Sequence, residues 1–238
     1  MNKYYLEKAD RNTPALHETQ VFSDMTVQIV PDTDTFFGAR VVRQRKSREV
    51  FTSGDQFVLD FGDHRVGFLS FQMRHDDVYL DAPVRLKLRF GETAYELFRS
   101  FESYCGSLCA SWLQEEVLNL DLPGKVTLPR RYCFRYLEVT VVHTPRPVRL
   151  TDFEVCCITS ADLSRLDPLP AGTDPLLVSI DRVAAKTLAE CMQTAYEDGP
   201  KRDRRLWTGD LRLQALTDYY LFKINFVNST GSTIFPSL

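Results

Sequence analysis

The chain has 238 residues, of which 44% are hydrophobic and 26% charged, with a formal net charge of −3. That length holds one large or two smaller domains with ample core, and the charge, with no strongly basic block, speaks against a nucleic-acid partner, which needs a cationic surface. No run approaches the roughly 18 apolar residues of a membrane span, and MNKYYLEKADRNTPALHETQ has no apolar leader segment, so a cytoplasmic protein with no membrane partner is expected.

Residues 1–50 are polar and irregular, with a strand at TVQIV and a strand or sheet edge at VVRQRKSREV. From residue 57 the chain becomes rich in β-branched and aromatic residues, in the short runs FVLDFG, GFLSFQMRH and VRLKLRF. The last alternates strictly, with Val84, Leu86, Leu88 and Phe90 on one face and Arg85, Lys87 and Arg89 on the other, as in a half-buried antiparallel strand. Turn signals separate the runs at FGDHRVG, HDDV, LDAP and DLPGK. RYCFRYLEVTVV and VRLTDFEVCCIT, joined by HTPRP, read as two more strands. Several strands with no long helix between them predict an antiparallel β-sandwich, jelly-roll-like, over 51–162. ESYCGSLCASWLQEEVLN fits either a short helix or an irregular excursion.

Near residue 160 the period changes. LSRLDPLPAGTDP, with three Pro and a Gly, reads as a linker at 163–174. Asp174 followed by Pro175 is a helix start, because the carboxylate caps free N–H groups and Pro fits the first turn. Leu177, Ile180, Ala184, Leu188 and Cys191 then recur at helical spacing, in a helix predicted to run to about Tyr196. A second helix begins near Thr208 or Gly209, with Leu213, Leu216, Tyr220 and Ile224 on one face. The C-terminal part, 175–238, is thus an αα-hairpin. Its apolar stripes need cover from the sandwich, from another chain, or from a longer protein.

The six cysteines form no CxxC pair, so no metal site is expected, and reduced, mostly buried thiols are. The histidines are scattered without ligand spacing. No cofactor is expected.

The connection between the two helices is the unusual stretch. EDGPKRDRRLWTGDLRLQ, residues 197–214, carries nine charged side chains and one of only two tryptophans. It fits an ion-pair network on a solvated turn. It equally fits a sugar site: carboxylates accept hydrogen bonds from vicinal hydroxyls, Arg donates in a fixed fork, and an indole offers a flat apolar face to a pyranose.

Asp198-Gly199-Pro200-Lys201-Arg202-Asp203-Arg204-Arg205-Leu206-Trp207-Thr208-Gly209-Asp210 resembles the signature of the α-L-rhamnosidases of glycoside hydrolase family seventy-eight, Asp-Cys-Pro-x-Arg-Asp-Glu-Arg-x-Gly-Trp-x-Gly-Asp. Upstream, VLDFGDHRVGFLSFQM, APVRLKLRFGE and LPRRYCFRYLEV look like the β-sandwich that precedes the catalytic domain in that family. Together they cover about residues 55–222. The resemblance implies a sandwich followed by the first helical hairpin of an incomplete (α/α)6 barrel, in a family that hydrolyses terminal α-L-rhamnosides with inversion. Carbohydrate is the implied partner. By the motif, Asp198, Arg202, Trp207 and Asp210 line the sugar pocket, and Arg202–Asp203 matches the family's Arg-Asp pair.

Three positions depart from the pattern. Gly199 replaces the family's Cys, a change expected to cost little; one Gly before Trp207 is missing; and Arg204 replaces the Glu that serves as general acid. A guanidinium delivers no proton at neutral pH. The acid must then be Asp203, lie elsewhere, or be absent, and the family's partner carboxylate falls in a later part of the barrel. The chain by itself is therefore expected to be inactive or incomplete, or specific for an anionic sugar that meets Arg204. The alternatives are a non-catalytic carbohydrate-binding or interaction module, and a sandwich that forms homo-oligomers through its exposed hairpin.

Overall fold

A computed structural model describes residues 3–35, 38–43, 48–76 and 82–223. The chain divides into two compact units, Thr19–Cys157 and a second made of Met1–Glu18 with Ile158–Leu238.

Among the described residues the strands are β1 (His17–Phe22), β2 (Thr26–Pro31), β3 (Ala39–Arg43), β4 (Val50–Phe51), β5 (Gln56–His75), β6 (Val84–Gly91), β7 (Gln114–Leu120), β8 (Gly124–Thr127), β9 (Tyr132–His143) and β10 (Val148–Thr159). They form an antiparallel sheet with the main order β1-β10-β5-β9-β6-β7. The strand expected at TVQIV is β2, and VVRQRKSREV supplies part of the edge strand β3, which among the described residues pairs only with β2. HTPRP connects β9 to β10 as expected. Asp77 and Val78 of HDDV, and Leu80 and Asp81 of LDAP, lie outside the described residues.

FGDHRVG is a bend within one strand, not a turn between two. β5 runs through it, and its pairing with β9 shifts register between Asp60 and Arg65. Gly62 takes φ +80° there, a value open to Gly. The Asp60 carboxylate accepts from the Gly62 amide at 2.8 Å and from Arg135 at 2.8 and 3.0 Å, which fixes the corner. Such irregularities let a long strand serve two layers of a β-sandwich.

The pleat sorts residues into two faces. One cross-strand row runs Leu59 (β5), Leu137 (β9), Phe90 (β6), Gln114 (β7), and belongs to the core side. That core joins the strictly alternating Val84, Leu86, Leu88 and Phe90 to Phe71, Phe134 and Phe153. The adjacent row faces away: Val27 (β2), Val58 (β5), Glu138 (β9), Arg89 (β6), Glu115 (β7). Against it lies helix α2 (Ala94–Phe98, with α1 the helix Lys3–Arg11), and a 3-10 turn at Phe101–Ser103 follows; the ambiguous stretch from Glu102 then holds a second 3-10 turn at Ala110–Trp112 and enters β7. Leu97 of α2 packs with Val27 and Tyr136, so Arg89, which the alternation places toward solvent, is only 7% exposed.

In the other unit, α3 (Pro175–Cys191) starts as the sequence indicates: the Asp174 carboxylate accepts from the Leu176 amide at 2.7 Å, with Pro175 first in the helix. It ends earlier than Tyr196, because the backbone turns back and bridges Met192 with Tyr196. α4 spans Thr208–Leu221. The buried faces only partly follow the predicted spacing. On α3 the predicted Leu188 and Cys191 are buried, joined by Ala185 and Ala189, while Leu177, Ile180 and Ala184 are exposed, and Leu213, Leu216 and Tyr220 are exposed on α4. The core instead gathers Ala161, Leu188, Ala189, Met192, Tyr196 and Phe222, with Leu211 and Ala215 packed against them. Apolar residues occur all round α3, so spacing has two solutions, and the alanines admit the closer approach. Ile224 and the tail beyond it lie outside the described residues.

The thiols are less buried than expected: Cys133 and Cys191 are buried, but Cys105 and Cys109 are exposed. No helix among the described residues is long and apolar enough to cross a membrane.

Candidate functional site

The connection between α3 and α4 closes on itself. The Asp198 amide donates to the Arg205 carbonyl at 2.9 Å, and the Arg204 amide to the Gly199 carbonyl at 3.2 Å. The Asp198 carboxylate accepts from the amides of Gly199 at 2.9 Å and Arg205 at 3.1 Å. Its two ends thus meet, as in a compact Ω-loop. Partial burial pushes the Asp198 pKa up, but the amides of Arg205, Gly199 and Asp203 outweigh it and hold the group below the usual carboxylate range. Asp198 is therefore an ionised acceptor.

Arg204 sits in the left-handed region, φ 59°, and its Nε donates to the Pro200 carbonyl at 2.7 Å. The guanidinium is thus folded back on its own loop. This conformation suits the Gly at 199: a Cβ built there would collide with the Arg202 carbonyl oxygen.

Arg202 and Asp203 are brought together, with Arg202 Nε 3.6 Å from Asp203 Oδ1. This pair is half open to water, the kind of contact worth little to stability. Trp207 caps the start of α4, where its carbonyl accepts from the Leu211 amide at 2.8 Å; its side chain is 52% exposed. Asp210 is exposed in the first turn of α4, where the helix dipole favours a carboxylate. Asp198, Arg202 and Asp203 thus share one closed loop, and Trp207 and Asp210 follow on the helix it leads into.

Sequence reasoning missed what lies under the loop. Asp218 is fully buried on α4, and the Tyr196 hydroxyl donates to its Oδ2 at 2.5 Å. Burial raises the Asp218 pKa, partly countered by Tyr196, and burial, then the bond to Asp218, raises that of Tyr196. Gln214 Nε2 donates to the Glu197 carbonyl at 2.7 Å, tying the loop's entrance to α4. Leu211, Ala215, Asp218 and Phe222 follow helical spacing, a signal that the exposed Leu213 and Leu216 obscured.

The chain thus joins an antiparallel β-sandwich to two helices whose connecting loop carries carboxylates, guanidinium groups and an indole. The model of the glycosyl hydrolase family 78 alpha-rhamnosidase N-terminal domain matches residues 23–157, and the chain belongs to that family. Among solved structures it is similar to a rhamnosidase from Klebsiella oxytoca with rhamnose bound, at 42% identity and a TM-score of 0.85, covering 94% of this chain and 44% of that one. It also shares its fold with a GH78 family rhamnosidase of Bacillus sp. GL1, at 21% identity and a TM-score of 0.60, over 79% of this chain and 20% of that one. The chain thus spans less than half the length of either. No curated protein matches it.

Proposed function

We propose that the chain is the sandwich and opening helical hairpin of an α-L-rhamnosidase-like glycoside hydrolase, which recognises a terminal deoxy-sugar through residues 198–210. The observation that carries this is the charged loop, which follows a family 78 sandwich in a chain 42% identical to a rhamnosidase with rhamnose bound. In this reading Asp198 and Asp210 accept from sugar hydroxyls, Arg202 donates, and Trp207 supplies an apolar wall. The exposed apolar faces of α3 and α4, including Leu176, Val183, Leu213 and Tyr220, would be covered by the further hairpins of an (α/α)6 barrel.

Inversion requires an acid on one side of the scissile bond and a base on the other, with carboxyl groups roughly 6.5–9.5 Å apart. Arg204 supplies no proton, so Asp203 is the acid candidate in this stretch. In this reading its base partner would come from a later part of an (α/α)6 barrel. With Arg204 turned back to the Pro200 carbonyl, a neutral sugar suits the loop better than an anionic one.

The test is calorimetric titration of the 238-residue chain with L-rhamnose, alongside incubation with an aryl α-L-rhamnoside. Weak saturable binding, one component of which is lost in Trp207→Ala, and no release of the aryl group are expected. Binding that Trp207→Ala leaves untouched would remove the loop from sugar recognition.

A further inference from the structure

A second cleft lies wholly within the Thr19–Cys157 unit. Its floor is the outward cross-strand row Val58, Glu138, Arg89, Glu115, and its wall is the segment from Leu97 to Glu102. Its volume is about 500 Å³, inside the span of roughly 300–1,000 Å³ typical of small-molecule sites.

Its charges balance: Lys87, Arg89 and Arg99 line it with Glu102, Glu115 and Glu138. Arg89 Nη1 is 2.9 Å from Glu138, Arg89 Nε 3.9 Å from Glu115, and Lys87 Nζ 4.0 Å from the same Glu115. Arg89 and Glu138 are more than nine-tenths buried and are held on adjacent strands, so this polar floor is built in advance of any ligand. The Arg89 guanidinium lies over the Phe101 ring at 4.2 Å, and Phe98, 40% exposed, lines the cleft beside it. A net charge on the ligand would have to compete with the internal pairs. A neutral molecule rich in hydroxyls would not: it can accept from Lys87, donate to Glu115, and set its C–H face on Phe98.

We propose that this cleft is an accessory binding site for a neutral saccharide, distinct in its residues from the 198–210 loop. The cleft's own side chains carry this, whatever the loop binds.

The test is a titration of the ¹⁵N-labelled 238-residue chain with L-rhamnose, with a neutral rhamnosyl-glucose disaccharide and with D-galacturonate, followed by amide shifts. Saturable shifts by a neutral sugar are expected at 56–58, 87–89 and 97–102. Phe98→Ala should weaken that binding about tenfold, by loss of the aromatic face, and Trp207→Ala should leave it unchanged. Phe98 is partly exposed, so retained amide dispersion separates loss of binding from loss of fold. Absence of saturation at those amides, preference for galacturonate, or an unchanged Kd in Phe98→Ala overturns the assignment. Binding that depends on Trp207 and not on Phe98 overturns it while leaving the loop reading intact. A sugar that shifts the cleft amides but produces no Trp207-dependent shifts at 198–210 sinks the loop reading alone.

Discussion

Truncating Glu138 to Ala measures how far the sandwich depends on a buried charge pair. Glu138 and Arg89 have side chains 7% and 9% exposed, with 2.9 Å between them. Removing one member of such a pair costs about 3–5 kcal/mol, because the other is left charged and dry. Arg89 keeps other partners: the Leu97 and Glu96 carbonyls at 3.4 Å, the Arg99 carbonyl, the Phe101 ring and Glu115 at 3.9 Å. Glu138→Ala should therefore fall at the low end, about 3 kcal/mol. Replacing both partners, Arg89→Met with Glu138→Leu, removes the desolvation along with the attraction and should lie within about 2 kcal/mol of the parent. The assay is urea unfolding followed by Trp112 fluorescence in a Trp207→Phe background, which leaves one tryptophan in the sandwich unit. An unchanged slope with a shifted midpoint reports stability alone. A cost below about 1 kcal/mol for Glu138→Ala, the range of an exposed pair, refutes the reasoning. So does a double variant as costly as the sum of the single ones.

Three other outcomes follow from the geometry. Burial pushes the Asp60 pKa up, but Arg135 and the Gly62 amide outweigh it and lower the folded value. Its contribution to stability is therefore complete above the unfolded pKa of about 3.9 and is lost as pH falls through the folded value, so Asp60→Asn should flatten the acid limb of a stability–pH profile below about pH 4; an unaltered limb contradicts this. Gly67→Ala would drive a Cβ into the Cys156 carbonyl oxygen, forcing β5 from β10 at a cost of about 3 kcal/mol in the same urea assay; a loss below about 1 kcal/mol would show that the strands yield easily. Gly199→Cys, which restores the family residue, should open the 198–205 loop and speed tryptic cleavage at Arg202, Arg204 and Arg205; equal cleavage rates would mean that the loop accepts a side chain there.

What could be read in the chain was whatever is local. The alternation in VRLKLRF gave the core face of β6, the Asp174-Pro175 pair gave the start of α3, and the loop motif gave its family. What could not be read depends on distant partners. Arg89 looks like a solvent residue in its own strand, and it is the segment from α2 to Phe101, arriving between β6 and β7, that buries it. The Glu pair in QEEVLNL disguised β7, yet Gln114, Glu116, Leu118 and Leu120 are its more buried positions. The loop's carboxylates were legible as a set, but sequence assigned Asp198 outward to sugar, whereas much of its accepting capacity serves the amides of its own loop.

That internal use ties together two departures from the family pattern that look separate in the sequence. The chain path that brings the Arg202 carbonyl against the Cβ position at 199 leaves room for Gly and for no larger residue. The same closure puts the Arg204 amide on the Gly199 carbonyl and the Arg204 Nε on the Pro200 carbonyl. A Glu at 204 would turn a carboxylate, with no proton to donate when ionised, toward that carbonyl oxygen, an electrostatic mismatch. A Cys at 199 would push the Arg202 carbonyl away and dissolve the closure that Arg204 completes. Gly199 and Arg204 therefore make sense as one change. Once Gly199→Cys has opened the loop, Arg204→Glu should add little, so trypsin should cleave the double variant at Arg202 and Arg205 about as fast as Gly199→Cys alone. If the double variant is cleaved as fast as the sum of the single effects requires, the two substitutions are independent and the coupling is wrong.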